Sequence, residues 1–308
     1  MKRMCLTFLL ILTLAVPAMG KEITLILDWF PNVDHIPLYV AQQKGYFDEE
    51  GLGVKIIPPS ESADALKLAA AGRAELGISY EPQALVAASE GIPLLVVGRL
   101  IGHPLSTVLY IEGRGIEKPQ DLNGKPMGYT VAGMEDVLAK AFCELNEVTD
   151  YDLVHVEFAI VPSLVSGRVD SVMGGFRNYE VVELELKGYK PGYFALEEHG
   201  FPDYDELVVV ANPTFAKKNP EAIRSIRKAL SRATEYTLKN PKEALAVYLK
   251  AVPESDEKLE KLAFEKTLPF YAESQILDAE RWRTFADFAH KVGLIERPVD
   301  VEPLLWKD

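Results

Sequence analysis

The sequence predicts an α/β protein built as two lobes, and three observations predict it. Short β-branched runs alternate with amphipathic helical stretches, the signature of parallel α/β units. The chain has 308 residues, more than a single hydrophobic core usually supports. One α/β unit also recurs: "LAAAGRAELGISYEP" (Leu68–Pro82) parallels "SLVSGRVDSVMGGFRNYE" (Ser163–Glu180). Each reads helix, Gly-Arg, a small or branched residue, an acid, an apolar strand and a polar-aromatic tip. Two such units imply two lobes with related wiring and facing rims.

The elements follow in order. Residues 1–20 read as a secretory leader: Lys2 and Arg3 are a basic start, and "LTFLLILTLAV" is an apolar stretch too short to span a bilayer. Ala18 and Gly20 are small residues placed for cleavage near Gly20/Lys21. Cys5 precedes the apolar stretch, so it is not the lipid-bearing cysteine of a lipoprotein signal. "ITLILDW" reads as the first strand and "PLYVAQQKGYF" as a helix, with Pro37 early and Gly45 near its end. "GVKIIPP", "SADALKLAAAG", "AELGISY", "PQALVAASEG" and "PLLVVGRLI" continue the alternation. Turn punctuation in "GIEKPQDLNGKPMGYT" (Gly115–Thr130) marks the start of the second lobe. The chain returns near "FPDYDELVVVANP" (Phe201–Pro213), and the remainder reads as helices broken at Pro241, Pro253 and Pro269. The expected division is a leader over 1–20, a first lobe from 21–112 and 206–308, and a second lobe over 113–205.

Composition narrows the function. The net charge is −13, and loss of Lys2 and Arg3 takes it to −15, which argues against nucleic acid or anionic lipid as partners. Cleavage leaves only Cys143, so no intramolecular disulfide can form and a cysteine-rich metal site is excluded; a buried, inert thiol is the expectation. Catalytic signatures are absent: no G-x-S-x-G, no G-x-x-x-x-G-K-[ST], no H-E-x-x-H, and no G-x-G-x-x-G after the first strand. His35, His103, His155, His199 and His290 lack metal-ligand spacing. Neither a metal nor a cofactor is expected.

In open parallel sheets ligands bind beyond the carboxyl ends of the strands, so the strand tips are the candidates. The first strand ends at Asp28 and Trp29, followed by Asn32 and His35. The third ends at Ser79, Tyr80 and Glu81, and "PLLVVGRLI" runs on to Ser106 and Thr107. In the second lobe the tips are Tyr129 and Thr130, then Phe176, Asn178 and Glu180; the returning crossover adds Tyr204 and Glu206. Aromatic faces, amides and carboxylates in one cleft suit a flat, polar, nitrogen-containing ring. Each residue also has a plainer reading. Asp28 organises turns as readily as it binds ligand, and Asn32 or Asp34 can cap the helix near Pro37. His35 is either a packing histidine or a donor. Glu81 and Glu180 are each a first-turn helix charge or a ligand contact. The diglycine Gly174-Gly175 marks a close backbone approach.

The runs "LDWFPNVDHIPLYVAQQKGYFDEEGL", "GRAELGISYEP", "GIPLLVVGRLIGHPLSTVLY" and "ANPTFAKKNPEAIRSIRKALSRATEY" together resemble the thiamine-pyrimidine family of type II periplasmic binding proteins. That family includes bacterial proteins binding N-formyl-aminopyrimidine and fungal pyrimidine synthases on the same fold. The resemblance implies two α/β lobes joined by two crossovers. It also implies a periplasmic monomer, a small heteroaromatic ligand, and permease and ATPase partners of an ABC importer. It assigns Asp28, Trp29, Asn32, His35, Tyr80, Glu81 and Thr107 to the first lobe's rim, with Phe176, Asn178, Glu180 and Tyr204 closing from the other side. Glu180 would accept from an exocyclic amine and reject a ring bearing a carbonyl there, because two acceptors would meet unpaired. The synthases carry a pyridoxal-phosphate lysine and a substrate histidine where this chain has Ser79 and Gln83. Their cysteine-rich loop corresponds to Pro202–Glu206, without cysteine. A serine cannot form a Schiff base, which favours binding over synthesis. Riboflavin, another heteroaromatic, or a sulfonate-like anion are the alternative ligands.

Overall fold

The computed structural model describes residues 21–307; the expected leader over 1–20 lies outside them. Two five-stranded sheets form, in the orders β2-β1-β3-β10-β4 and β7-β6-β8-β5-β9. The first contains β1 (Lys21–Ile26), β2 (Leu52–Ile57), β3 (Leu76–Ser79), β4 (Leu95–Ile101) and β10 (Leu207–Ala211). The second contains β5 (Ser106–Ile111), β6 (Lys125–Tyr129), β7 (Tyr151–His155), β8 (Ser171–Phe176) and β9 (Pro191–Ala195). The two orders are the same arrangement used twice. The recurrent unit explains this, because β3 and β8 each take the central place. Each follows one helix (Asp64–Ala70 or Ile160–Ser166) and precedes another (Glu81–Ser89 or Glu180–Leu186).

Neither sheet is wholly parallel, as the alternating pattern had suggested. β10 runs antiparallel between β3 and β4, and β5 runs antiparallel between β8 and β9. The cause is the chain path, since each of these strands enters its sheet from the other lobe, at the edge where the parallel strands end. Ser106 lies opposite Phe176, and Val208 opposite Ser79. The first crossing is therefore the short stretch 102–105. The strand Ser106–Ile111 pairs in the second sheet, although the sequence boundary at 112/113 had assigned it to the first.

The strands are apolar because most are covered on both faces. Ile23, Leu25, Leu76, Ile78 and Val208 to Val210 are fully buried. The long helix Pro220–Lys239 and the helix Pro241–Ala251 lie against the helix Ile36–Gln43. The helix Glu257–Thr267 bridges the lobes, touching both the turn Val33–His35 and the second-lobe helix Glu180–Leu186. Pro37 sits in the first turn of its helix, and Gly45 takes the left-handed conformation (φ 74°) that ends it. Cys143 is buried and unpaired, and burial pushes its thiol up to about 12. No helix among the described residues is long and apolar enough to cross a membrane.

Candidate ligand-binding site

Trp29 and Glu180, from opposite sheets, line one cavity. Its wall also includes Asp28, Asn32, Tyr80, Thr130, Glu135, Ile160, Gly174, Phe176 and Tyr179. An adjoining hollow at the mouth shares Trp29, Asn32, Ile160, Tyr179 and Glu180 and adds Phe30 and Phe158. The Phe158 ring lies 4.6 Å from that of Trp29 and 4.7 Å from that of Phe30, so aromatic lips from the two lobes meet there.

The first lobe's tip is rigid because its polar atoms hold one another. Asn32 is in extended conformation and caps the turn Val33–His35, its Oδ1 accepting from the Asp34 amide at 2.8 Å. The Asn32 amide donates to His35 Nδ1 at 3.3 Å. That fixes the neutral imidazole with its proton on Nε2, which donates to Asp28 Oδ1 at 2.9 Å. Tyr80 donates to Asp28 Oδ2 at 3.0 Å. Asp28 thus reaches the cavity with both oxygens already engaged. The cap falls to Asn32 rather than Asp34, for which capping was the plainer expectation. Asp34 is instead fully buried, and its Oδ1 accepts from Asn178 Nδ2 at 2.6 Å. Burial is the main reason its carboxyl rises to about 7, with Asp28 and Glu206 adding repulsion.

The second lobe contributes two carboxylates. Glu180 opens its helix, and one oxygen accepts the Phe176 amide at 2.8 Å. Burial, reinforced by Glu183 and Asp34, raises its carboxyl to about 8. Glu135 opens the helix Glu135–Leu145, and its Oε2 accepts from the Thr130 amide (2.6 Å), the Thr130 hydroxyl (2.7 Å) and the Val131 amide (3.0 Å). Burial raises it to about 7 despite these donors. Gly174 faces it at φ +93°, where an added Cβ would lie 2.1 Å from Glu135 Oε1. The diglycine is therefore a close approach to a side chain at Gly174 and to Leu109 at Gly175.

Of the eleven residues that the resemblance assigned to the rim, Asp28, Trp29, Asn32, Tyr80, Phe176 and Glu180 line the cavity. Five do not. His35 lies behind Asp28, wholly buried. Glu81 accepts the Asp205 amide at 2.7 Å, and burial beside Asp205 pushes its carboxyl well above the usual range. Thr107 belongs to the second sheet and donates to the Gly175 carbonyl at 2.7 Å. Asn178 spans the lobes, donating to Asp34 and to Thr267 Oγ1 (2.7 Å). Tyr204 donates to Glu206 at 3.1 Å. Glu206 also accepts the Leu105 and Ser106 amides at 2.6 and 2.8 Å and the Ser106 hydroxyl at 2.9 Å, and so ties the two crossings together. Sequence reasoning missed Glu135, Ile160, Gly174 and Tyr179 as wall residues. For Glu135 a signal existed: it is the first acid of the helix following Thr130, a tip already named.

Among the described residues, the wall offers acceptors and aromatic faces and holds no lysine, arginine or histidine. Its one aliphatic hydroxyl, on Thr130, is committed to Glu135. No cluster of potential metal ligands occurs among the described residues.

Comparison with known proteins gives the family and the fold. The NMT1/THI5-like family profile matches residues 32–244. A Haemophilus influenzae protein, whose name places it provisionally in thiamine biosynthesis, is 39% identical over 94% of this chain and 94% of its own. The formylaminopyrimidine-binding protein of Halalkalibacterium halodurans is 32% identical, over 92% of this chain and 88% of its own. A 4-amino-5-hydroxymethyl-2-methylpyrimidine phosphate synthase of Saccharomyces cerevisiae is 28% identical, over 89% and 84%. Among solved structures, the alkanesulfonate-binding protein of Xanthomonas axonopodis pv. citri superposes with a TM-score of 0.75 at 16% identity, over 94% of this chain and 100% of that one. The fold is that of the periplasmic binding proteins, and by sequence the chain belongs to the NMT1/THI5-like family.

Proposed function

We propose that this protein is the exported solute-binding component of an ABC importer. It captures an aminopyrimidine thiamine precursor of the N-formyl-aminopyrimidine type between its lobes and leaves it chemically unchanged. The observation that carries this reading is the make-up of the cavity wall: aromatic rings from both sheets, three carboxylates and no basic side chain. Trp29 and Phe176 offer faces to a flat ring, and Glu180 offers an acceptor to an exocyclic amine. A sulfonate would meet three carboxyl groups and no cation to pair with it. A pyridoxal-phosphate reaction needs a lysine, and the wall has none. The formylaminopyrimidine-binding relative supports the same choice. Ligand contacts made only when the lobes are together would shift the population towards the closed form, the form a permease in the membrane would recognise in a periplasmic monomer.

Titration calorimetry of the purified protein with an aminopyrimidine, riboflavin and an alkanesulfonate tests the reading. Micromolar or tighter binding of the aminopyrimidine, about −8 kcal/mol or better, is expected, with the ligand recovered unaltered. Binding confined to the flavin or the sulfonate, or recovery of a converted product, overturns it.

A further inference from the structure

At one end of the cavity the protein has built an anion site and filled it with its own side chain. The loop from β6 into the helix Glu135–Leu145 aims the Thr130 amide, the Thr130 hydroxyl and the Val131 amide at a single point. Its orientation is held from outside, because the Thr130 carbonyl accepts from Ser62 Oγ at 2.8 Å and lies 2.9 Å from His155 Nε2. The Gly133 amide is taken in the same way by Asp136 Oδ1 at 2.7 Å. Converging donors at the start of an eleven-residue helix form the arrangement that holds phosphate groups elsewhere. Here the occupant is Glu135 Oε2, wedged between that loop and the bare backbone of Gly174. Thr130, Glu135 and Gly174 all line the cavity, so the filled cradle faces whatever binds there.

We propose that Glu135 acts as a built-in acceptor that occupies this cradle, so that the protein takes the unphosphorylated form of its heteroaromatic ligand and rejects the phosphate ester. This deepens the reading above and rests on it only in taking the cavity as the ligand site. A phosphate at this end would find the donors taken and a carboxylate opposite. An amine or hydroxyl there would find an acceptor. Glu135 is thus a specificity-determining residue, acting against the wrong ligand as much as for the right one.

The test compares wild type with Glu135→Ala and Glu135→Gln, using inorganic phosphate, an aminopyrimidine carbinol and its phosphate monoester as probes in calorimetry and thermal shift. Wild type is expected to ignore inorganic phosphate and to prefer the carbinol over its monoester by at least about 100-fold. Glu135→Ala empties the cradle and is expected to gain phosphate binding and to cut that preference to below about 10-fold. Glu135→Gln keeps the cradle filled with an amide oxygen and should gain no phosphate binding. Three results overturn the proposal: wild type binding carbinol and monoester alike, a folded Glu135→Ala protein that takes no phosphate, or phosphate binding by Glu135→Gln. Should Glu135→Ala fail to fold, the wild-type preference alone decides. If no pyrimidine binds any variant, the ligand assignment falls, while the inorganic phosphate arm still tests the cradle.

Discussion

Trp29 and Glu180 each line the cavity and also make contacts that hold the protein together. Trp29 presents its indole to the cavity and meets Phe158 of the other lobe edge to face. Its replacement by alanine removes stacking area and a lip contact together, and should weaken ligand binding by about 2 kcal/mol, roughly 30-fold, in calorimetry. Glu180 sits near 8 because burial disfavours its charge, so in the empty cavity it is largely protonated at neutral pH. A ligand amine is held best by the ionised form. For a neutral ligand, affinity should therefore fall as pH drops below about 8, approaching a tenfold loss per pH unit. Glu180→Gln should bind more weakly and lose this dependence, as measured by dissociation constants between pH 6 and 9.

At the scale of elements, the two crossings matter as much as the strand tips. The stretch 102–105 and the stretch leading into β10 are joined through Glu206, which accepts four hydrogen bonds while almost fully buried. Beside it, Asp205 accepts from Arg281 at 2.9 Å and from the Trp282 indole at 3.0 Å, tying the same floor to the C-terminal helix. Replacing Glu206 by alanine leaves several buried donors without partners, each worth about 1–3 kcal/mol. A loss of about 3 kcal/mol or more in urea unfolding is expected. The turn Arg177–Tyr179 is the second joint. Asn178 reaches Asp34 and Thr267, and Tyr179 donates to Glu260 at 2.9 Å. Asn178→Ala removes a bridge between the lobes without touching the cavity wall, so it should speed ligand release in stopped-flow measurements and leave the choice among ligands unchanged.

For the whole molecule, buried carboxyls with raised values set the response to pH. Asp34 and Glu135 rise to about 7, and Glu180 and Glu260 to about 8, each chiefly through burial. Acids with raised values hold protons in the folded state that the unfolded chain releases, so their stabilisation is complete below about pH 4 and fades as pH climbs through 7 to 8. The melting temperature of the ligand-free protein should fall by on the order of 10 °C between pH 5 and pH 9 in calorimetric scans. A melting temperature that rises over this range would contradict the burial of these groups.

The two-lobed architecture, the repeated α/β unit and the strand-tip shortlist were legible in the sequence because they depend on local periodicity and chain order. Hydrophobic runs of strand length and a helix begun at Pro37 and ended by Gly45 are written within a few residues of where they act. Which tip residues face the cavity was decided only by tertiary structure. Glu81 and Glu180 occupy equivalent places, each opening a helix after a central strand, and the sequence treats them alike. The return of the chain through Asp205 covers Glu81, whereas nothing of that kind covers Glu180, which lines the cavity. Local pattern determines what a residue can do, but exposure depends on which distant segment lies over it, and that is fixed by how the crossings and the C-terminal helices close on the two sheets.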